Sequence, residues 1–486
     1  MMAQEASQTK ENEGLEGFEL IVGLEVHCEL LTKTKLFCGC KNQFGDEPNT
    51  NICPVCLGLP GSLPVINKRA VELAMRIGKA LNCEVLPSTF HRKNYFYPDM
   101  PKDFQISQYD MPINANGYLE LSDKSRVGII RAHIEEDTGK SIHIGGSGRI
   151  AEASNSLVDY NRAGVPLVEI VSAPEIYSSQ QAKDYVQELR QILVAIGASD
   201  GRMEEGSLRV DANVSIRPEN SEVFGTRCEI KNLNSLRSLG LAIEYEARRQ
   251  AILIREGKSV SQETRHFDEN SGRTSSMRSK EEANDYRYFP EPDLVPLAPD
   301  AAWIEESTSD VISLLPITKR KNLESLLGEE YLSQIALLVE IGLDDFVSGC
   351  IEAGANTKLV VNRVINEAAR DAEKAKEMST ADFVELITME ATNKLSATQS
   401  KAVLQEMLTA GGSPAEIAKR LGYEQIDSNE TGKVVDEVIK NNPAEWERYL
   451  AGDEKIVQFL LGQVMKLTKG RANGKEVMQI FISKNH

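Results

Sequence analysis

The sequence predicts an α+β fold: an antiparallel-sheet domain with helices on one face, followed by all-α C-terminal domains. Three observations carry this. Segments of the first half alternate apolar and polar residues with period two, as half-buried strands do. Helical segments are interspersed among them, which suits a layer of helices on a sheet. Composition then changes near residue 300. Residues 1–300 hold 15 of the 18 prolines and 7 of the 8 cysteines, and beyond them apolar residues recur at three and four.

Residues 1–17 are polar and acidic, without an apolar signal core or an Arg-rich amphipathic pattern, and are expected to be a disordered leader. Residues 18–300 form the first domain. In Leu24–Leu30 the apolar set Leu24, Val26, Cys28 and Leu30 opposes Glu25, His27 and Glu29. Ile129–Glu135 presents Arg131, His133 and Glu135 on one side. Leu208–Arg217 sets Leu208, Val210, Ala212, Val214 and Ile216 against Arg209, Asp211, Asn213, Ser215 and Arg217. Arg227, Glu229 and Lys231 share the polar side of Arg227–Lys231. Helices are predicted from Ser179 to about Gly197 and from Asn234 to about Gly257, with Asn234 or Ser235 as N-cap and Gly257 as stop. The proline-rich stretch Pro290–Pro299 reads as a hinge. A helical domain is expected over 301–410. The break Gly411-Gly412-Ser413-Pro414 then introduces a small helical tail domain over 415–486.

Cys38-x-Cys40, then Cys53-x-x-Cys56, has the spacing of four thiolates around one tetrahedral Zn²⁺. Pro54, Gly58, Pro60 and Gly61 suit a tight knuckle around the second pair. Four thiolates leave no open position, so this zinc is expected to be structural. The other cysteines are scattered, which fits a reducing compartment, and a cytoplasmic protein is expected. No apolar run approaches a membrane span. A net charge of -18 argues against non-specific nucleic-acid binding by the whole surface. Residues 455–486 are different: six Lys and Arg against Glu476 give +5.

The polar sheet face has two readings. One is a solvated face, common in antiparallel sheets. The other follows from residue choice: Glu25, His27, Glu136, Asp211 and Glu229 are hard oxygen or imidazole donors of the kind Mg²⁺ recruits, borne on strands that hold geometry. Gly139-Lys140-Ser141 resembles the end of a phosphate-binding P-loop, but Ile134 stands where the loop requires glycine. Any ATP is bound without a P-loop. Gly145-Gly146-Ser147-Gly148 reads as a flexible hairpin turn.

Several longer motifs occur in one order. They include Gly23-Leu24-Glu25-Val26-His27, residues 94–102 (NYFYPDMPK), His133-Ile134-Glu135-Glu136-Asp137, residues 203–211 (MEEGSLRVD), residues 229–235 (EIKNLNS) and residues 285–292 (DYRYFPEP). From about residue 18 to 300, and more weakly beyond, the chain closely resembles the B subunit (GatB) of the glutamyl/aspartyl-tRNA amidotransferases. The resemblance implies the fold shared with glutamine synthetase and guanidino kinases. It also implies ATP-dependent phosphorylation of the side-chain carboxylate on Glu-tRNA(Gln) or Asp-tRNA(Asn), then amidation by ammonia. The ammonia would arrive by channel from an amidase-fold A subunit, held by a small C subunit in a heterotrimer. By motif position, Glu25, His27, Glu136 and Glu229 are implied Mg²⁺ ligands, with Glu169 and Asp211 as second choices. Glu135 is the alternative to Glu136, because strand parity puts it with His133. Lys231, Arg209 and Arg131 are candidates to hold phosphate. Tyr95, Tyr97 and Lys102 are candidates for the aminoacyl pocket or the ammonia route, or for packing on the knuckle. The helical and tail domains would grip tRNA, the +5 tail through phosphates. The alternative is a non-catalytic, zinc-stabilised tRNA-binding adaptor.

Overall fold

The structure, a computed structural model, describes residues 14–145, 154–279, 286–423, 428–453, 455–468 and 471–485. Most of the expected leader, Gly146–Gly148 of the glycine-rich turn and Lys469 of the basic tail lie outside the described residues. The chain divides into two compact units, residues 1–318 and 319–486.

The first unit is built on fourteen described strands. They are β1 (Phe18–Glu29), β2 (Glu84–Val85), β3 (His91–Asn94), β4 (Phe104–Ser107), β5 (Asn114–Glu120), β6 (Arg126–Glu136), β7 (Lys140–Ile144), β8 (Asn155–Asp159), β9 (Pro166–Ser172), β10 (Leu208–Pro218), β11 (Cys228–Leu233), β12 (Glu263–Asp268), β13 (Arg273–Ser279) and β14 (Phe289–Pro290). Nine form one sheet in the order β13-β12-β11-β10-β1-β9-β6-β5-β2. Every neighbouring pair is antiparallel except β11–β12. β14-β3-β4 make a small separate sheet, and β7–β8 a hairpin.

The alternation read in the sequence is the pleat of this sheet. Leu24, Val26 and Cys28 of β1, Val210, Ala212 and Val214 of β10, and Val168 and Ile170 of β9 are all buried in one core. Three helices supply its other half: α1 (Lys68–Ala80), α2 (Ser179–Ala195) and α3 (Leu236–Arg255). Each starts on a side-chain cap that satisfies an otherwise orphaned N–H: Asn67, Ser178 and Ser235. Gly257, at φ +72°, turns the chain out of α3 in a conformation costly to other residues.

One buried polar network ties α3 to the sheet edge. Glu246 is fully buried and accepts from Arg249 Nη2 (2.6 Å), Gln250 Nε2 (3.0 Å) and Thr274 Oγ1 (2.9 Å). Arg265 Nε of β12 lies 3.2 Å from it. A fully partnered buried charge specifies one arrangement, here the seating of β12 beside β11.

Two expected boundaries shift. The composition changes at 300, but the first unit continues to Thr318: Val311 and Leu315 belong to its core, and Arg76 of α1 holds Asp310 through two guanidinium bonds. Among the described residues of the second unit two helical cores are present. The break at 411–414 does not separate them, because the helix Pro414–Arg420 places Ile417 and Ala418 in the earlier core. The later core begins at Val435 and is closed by Tyr449, Leu460 and Phe481. Glycine and proline mark the turn into a helix there, and where that helix packs is decided by its own apolar face.

Candidate active site

The face of the sheet opposite the helices carries a cleft of about 470 Å³. Its floor is a product of register. His27 of β1 stands beside Glu169 of β9, which stands beside His133 of β6, forming one row across three strands. A second row pairs Glu25 of β1 with Asp211 of β10. Glu229 of β11 reaches the same place from the next strand, where a register shift in β10 interrupts the ladder between Val210 and Ala212.

Two donor groups result. His27, Glu135 and Glu169 form one, and Glu25, Asp211 and Glu229 the other; within each, the ligand atoms lie within 4.8 Å of one another. His27 Nε2 is 3.6 Å from both Glu135 and Glu169, and His133 Nε2 is 3.5 Å from Glu169. Neighbouring groups fix each carboxylate. Asn213 Nδ2 donates to Glu25 Oε1 at 2.9 Å, Thr264 Oγ1 to Glu229 Oε2 at 3.1 Å, and Ser107 Oγ to Glu135 Oε2 at 3.3 Å. Lys231 Nζ bridges Asp211 (3.1 Å) and Glu229 (3.2 Å).

Crowding like charges in a buried site shows in their proton affinities. Burial first, and then the charges of Glu169, Glu229 and Asp211, raise the Glu25 carboxyl above its usual range. Burial and Glu169 raise Glu135 likewise. Burial would lower His27, but its hydrogen bond to Glu169 and the charges of Glu169 and Glu135 lift it to about 9. Burial drives His133 down to about 4. A site that concentrates negative charge to this degree has the donor set of a hard divalent cation: carboxylate oxygens in both groups, joined by one imidazole in the first.

The cleft wall is basic and aromatic. Lys93, Arg131, Arg227 and Lys231 line it with Tyr109, Tyr286 and Tyr288. Tyr109 and Tyr288 stack at 4.3 Å, and Lys93 Nζ sits 4.8 Å from the Tyr286 ring centre.

The structure therefore brings together Glu25, His27, Glu169, Asp211, Glu229 and Lys231. It does not bring Glu136 to them. From Arg131 to its last residue β6 pairs with β9 without a register shift, so Glu135 follows His133 into the cleft and Glu136 turns the other way. There Glu136 pairs with Lys102, accepts from the Ile106 N–H at 2.8 Å, and approaches the Cys56 side of the knuckle around Gly164. Arg209 is also drawn aside, onto Asp137 at 2.8 Å. Arg131 stays at the cleft, 4.0 Å from Glu169. Tyr95 and Tyr97 stack on each other and do not line the cleft. Lys93, Thr264, Tyr109 and Asn213 were not among the expected site residues. Asn213 shares the period-two face of Asp211, a signal that was available. The other three come from elements whose sequences carry no such pattern.

The four cysteines converge as well. Cys56 Sγ lies 3.5 Å from Cys53, 3.8 Å from Cys40 and 4.0 Å from Cys38. Sulfurs around a tetrahedral ion with bonds of about 2.3 Å stand about 3.8 Å apart, so the geometry fits zinc. The Cys38 sulfhydryl, and then the Lys35 charge, draw the Cys56 thiol down to about 4 despite its burial.

Carboxylates and imidazoles converging from five strands beneath basic and aromatic side chains define a catalytic α+β domain rather than an inert scaffold. Residues 20–305 match the GatB/GatE catalytic domain and residues 345–484 the GatB domain. The chain is 46% identical to the B subunit of an aspartyl/glutamyl-tRNA(Asn/Gln) amidotransferase of Carboxydothermus hydrogenoformans, over 96% of this chain and 98% of that one. It is 46% identical to the same-named protein of Persephonella marina over 96% and 98%, and 47% to that of Frankia casuarinae over 96% and 95%. The chain belongs to the GatB/GatE family.

Proposed function

We propose that this chain is the B subunit of a tRNA-dependent amidotransferase, a carbon–nitrogen ligase of protein biosynthesis, and that its cleft activates the side-chain carboxylate of Glu-tRNA(Gln) or Asp-tRNA(Asn) with ATP. Family membership supports the amidotransferase role. The observation that carries the kinase step is the pair of adjacent donor groups on one sheet face. It favours an enzyme over a zinc-stabilised tRNA-binding adaptor, which has no use for five clustered carboxylates.

In this reading a side-chain carboxylate oxygen attacks the γ-phosphorus of ATP, the bond to the β-phosphate oxygen breaks, and ADP leaves. Ammonia then attacks the acyl carbon, phosphate leaves, and a proton is lost to give the amide. A carboxylate is a poor electrophile, and phosphorylation supplies its leaving group. His27, Glu135 and Glu169 would hold one Mg²⁺, and Glu25, Asp211 and Glu229 another. Bound there, Mg²⁺ neutralises charge on phosphate oxygens. Lys231 and Arg131, with Arg227 beside them, bind phosphate oxygens through charge-assisted hydrogen bonds. The tyrosines around Lys93 narrow the site and keep water from the acyl phosphate.

Ammonia comes from a glutaminase A subunit, with a small C subunit completing a heterotrimer. Zinc in the knuckle is structural. The tail binds tRNA phosphates, and the complex works in the cytoplasm; no helix among the described residues is long and apolar enough to cross a membrane. The test is ADP formation by the purified complex. It should require misacylated tRNA and fall to background with uncharged tRNA or with tRNA already carrying the amide. ADP formed equally with all three would refute the reading.

A further inference from the structure

Lys35 has no exposed surface, whereas the nearby Lys33 and Lys41 are exposed. Its ammonium carries three protons. Among the described residues it donates one hydrogen bond, to the Tyr160 carbonyl at 3.2 Å, and makes no ion pair with a carboxylate. Glu136, the acid that shares the space over Gly164, is taken by Lys102. A buried charge is costly unless an opposite charge offsets it, so Lys35 needs an anion that the carboxylates do not supply.

The backbone places this lysine in the knuckle. Its N–H donates to the Cys40 carbonyl at 3.0 Å, and its carbonyl accepts from Asn67 Nδ2 at 3.2 Å. Thr34 pairs with Lys41 across the first two cysteines. With both backbone groups held, the side chain runs inward over Gly164. A Cβ on that glycine would lie 3.7 Å from Lys35 Cδ and 4.0 Å from Cys56 Cβ, so the lysine stem and Cys56 stand side by side. Cys56 is also the cysteine on which the other three converge, and at 5% exposure the most enclosed of the four.

The zinc centre has the opposite need. A metal-bound thiol is deprotonated, so four thiolates on one Zn²⁺ carry a net charge of about -2. Placing that charge in a partly buried knuckle calls for a cation nearby.

We propose that Lys35 is the counter-ion of the zinc knuckle: its buried ammonium offsets part of the negative charge of the four-thiolate centre and so helps to hold the metal. The inference rests on the zinc reading of the four cysteines. It adds a fifth residue, outside the ligands, on which zinc affinity depends.

The test measures zinc affinity in the assembled complex by competition with a chromogenic chelator. The complex with Cys53→Ser and Cys56→Ser is the blank for metal held elsewhere. Lys35→Met removes the charge and keeps the stem, and Lys35→Gln removes the charge and keeps a donor. Both should weaken zinc binding by about 10- to 100-fold, the scale on which partners outside the ligand shell act. Lys33→Met, exposed and two residues away, should leave it unchanged. Melting is then compared before and after zinc is stripped: Lys35→Met should lower the melting temperature of the zinc-loaded complex only. Wild-type zinc affinity in either folded Lys35 variant overturns the counter-ion. An equal drop in melting temperature with and without zinc overturns it too, and leaves Lys35 a packing residue. Equal weakening by Lys33→Met overturns it in favour of general surface charge. A wild-type complex with no more zinc than the blank overturns the counter-ion together with the zinc reading. Zinc in wild type with unaltered affinity in the Lys35 variants overturns the counter-ion alone.

Discussion

Glu229→Ala in the assembled amidotransferase is expected to reduce ATP turnover on misacylated tRNA by roughly a thousandfold, the scale on which one aligned electrostatic group acts in a closed site. Glu229 is buried, accepts from Thr264 at 3.1 Å and pairs with Lys231 at 3.2 Å. Its loss removes one of three donors from its group and leaves Lys231 leaning on Asp211 alone of its two nearby carboxylates. The glutaminase activity of the partner subunit should survive, and so should most of the affinity for tRNA, because in this reading only the aminoacyl end enters this face and the tail holds the tRNA phosphates. The neighbouring pair on β6 sharpens the same prediction. Glu135→Gln should lose phosphorylation far more than Glu136→Gln, since only Glu135 stands with His27 and Glu169. Single-turnover ADP formation measures all three variants. Equal losses at Glu135 and Glu136 would contradict the placement of the site.

The second large effect is expected at the knuckle. Wild type should retain about one zinc per chain through dialysis, and Cys53→Ser with Cys56→Ser should retain none by elemental analysis. Structural zinc in four-thiolate sites contributes on the order of 10 kcal/mol of apparent binding energy, so its loss should also lower solubility and thermal stability. The damage should be local at first. Cys56 lies beside Gly164 with Lys35 and Glu136, and Lys35 Nζ donates to the Tyr160 carbonyl at 3.2 Å. The knuckle therefore braces the end of β6 just past Glu135. Zinc kept by the double variant would mean that the cysteines do not form its site.

Much of this was legible because strand periodicity is unforgiving. Once Val26 and Val210 face the core, His27 and Asp211 must face away, and the polar face can be read without coordinates. The capped helices were legible for a similar reason: Ser235 before an amphipathic stretch and Gly257 after it bracket α3. The choice between Glu135 and Glu136 was not, since one residue at a strand end decides it and a bulge would invert the answer. A bulge does occur in β6, but at Ile130, ahead of both residues. Thr264 and Lys93 were invisible for another reason. β12 reaches the cleft through a parallel pairing with β11 that Glu246 and Arg265 help to seat, and β3 belongs to a different sheet. Long-range topology of that kind leaves no local periodicity. The compositional change at 300 misled about the unit boundary because proline content reports backbone punctuation, whereas Val311 and Leu315 are placed by burial.

The substrate's own side-chain carboxylate is expected to take the γ-phosphoryl group before ammonia arrives. Misacylated tRNA carrying ¹⁸O in that carboxylate tests it directly. During transamidation by the complete complex, the released inorganic phosphate should acquire one ¹⁸O from the amino acid, and the transfer should be lost with Glu229→Ala. Phosphate released without ¹⁸O, while amide forms at the normal rate, would contradict it.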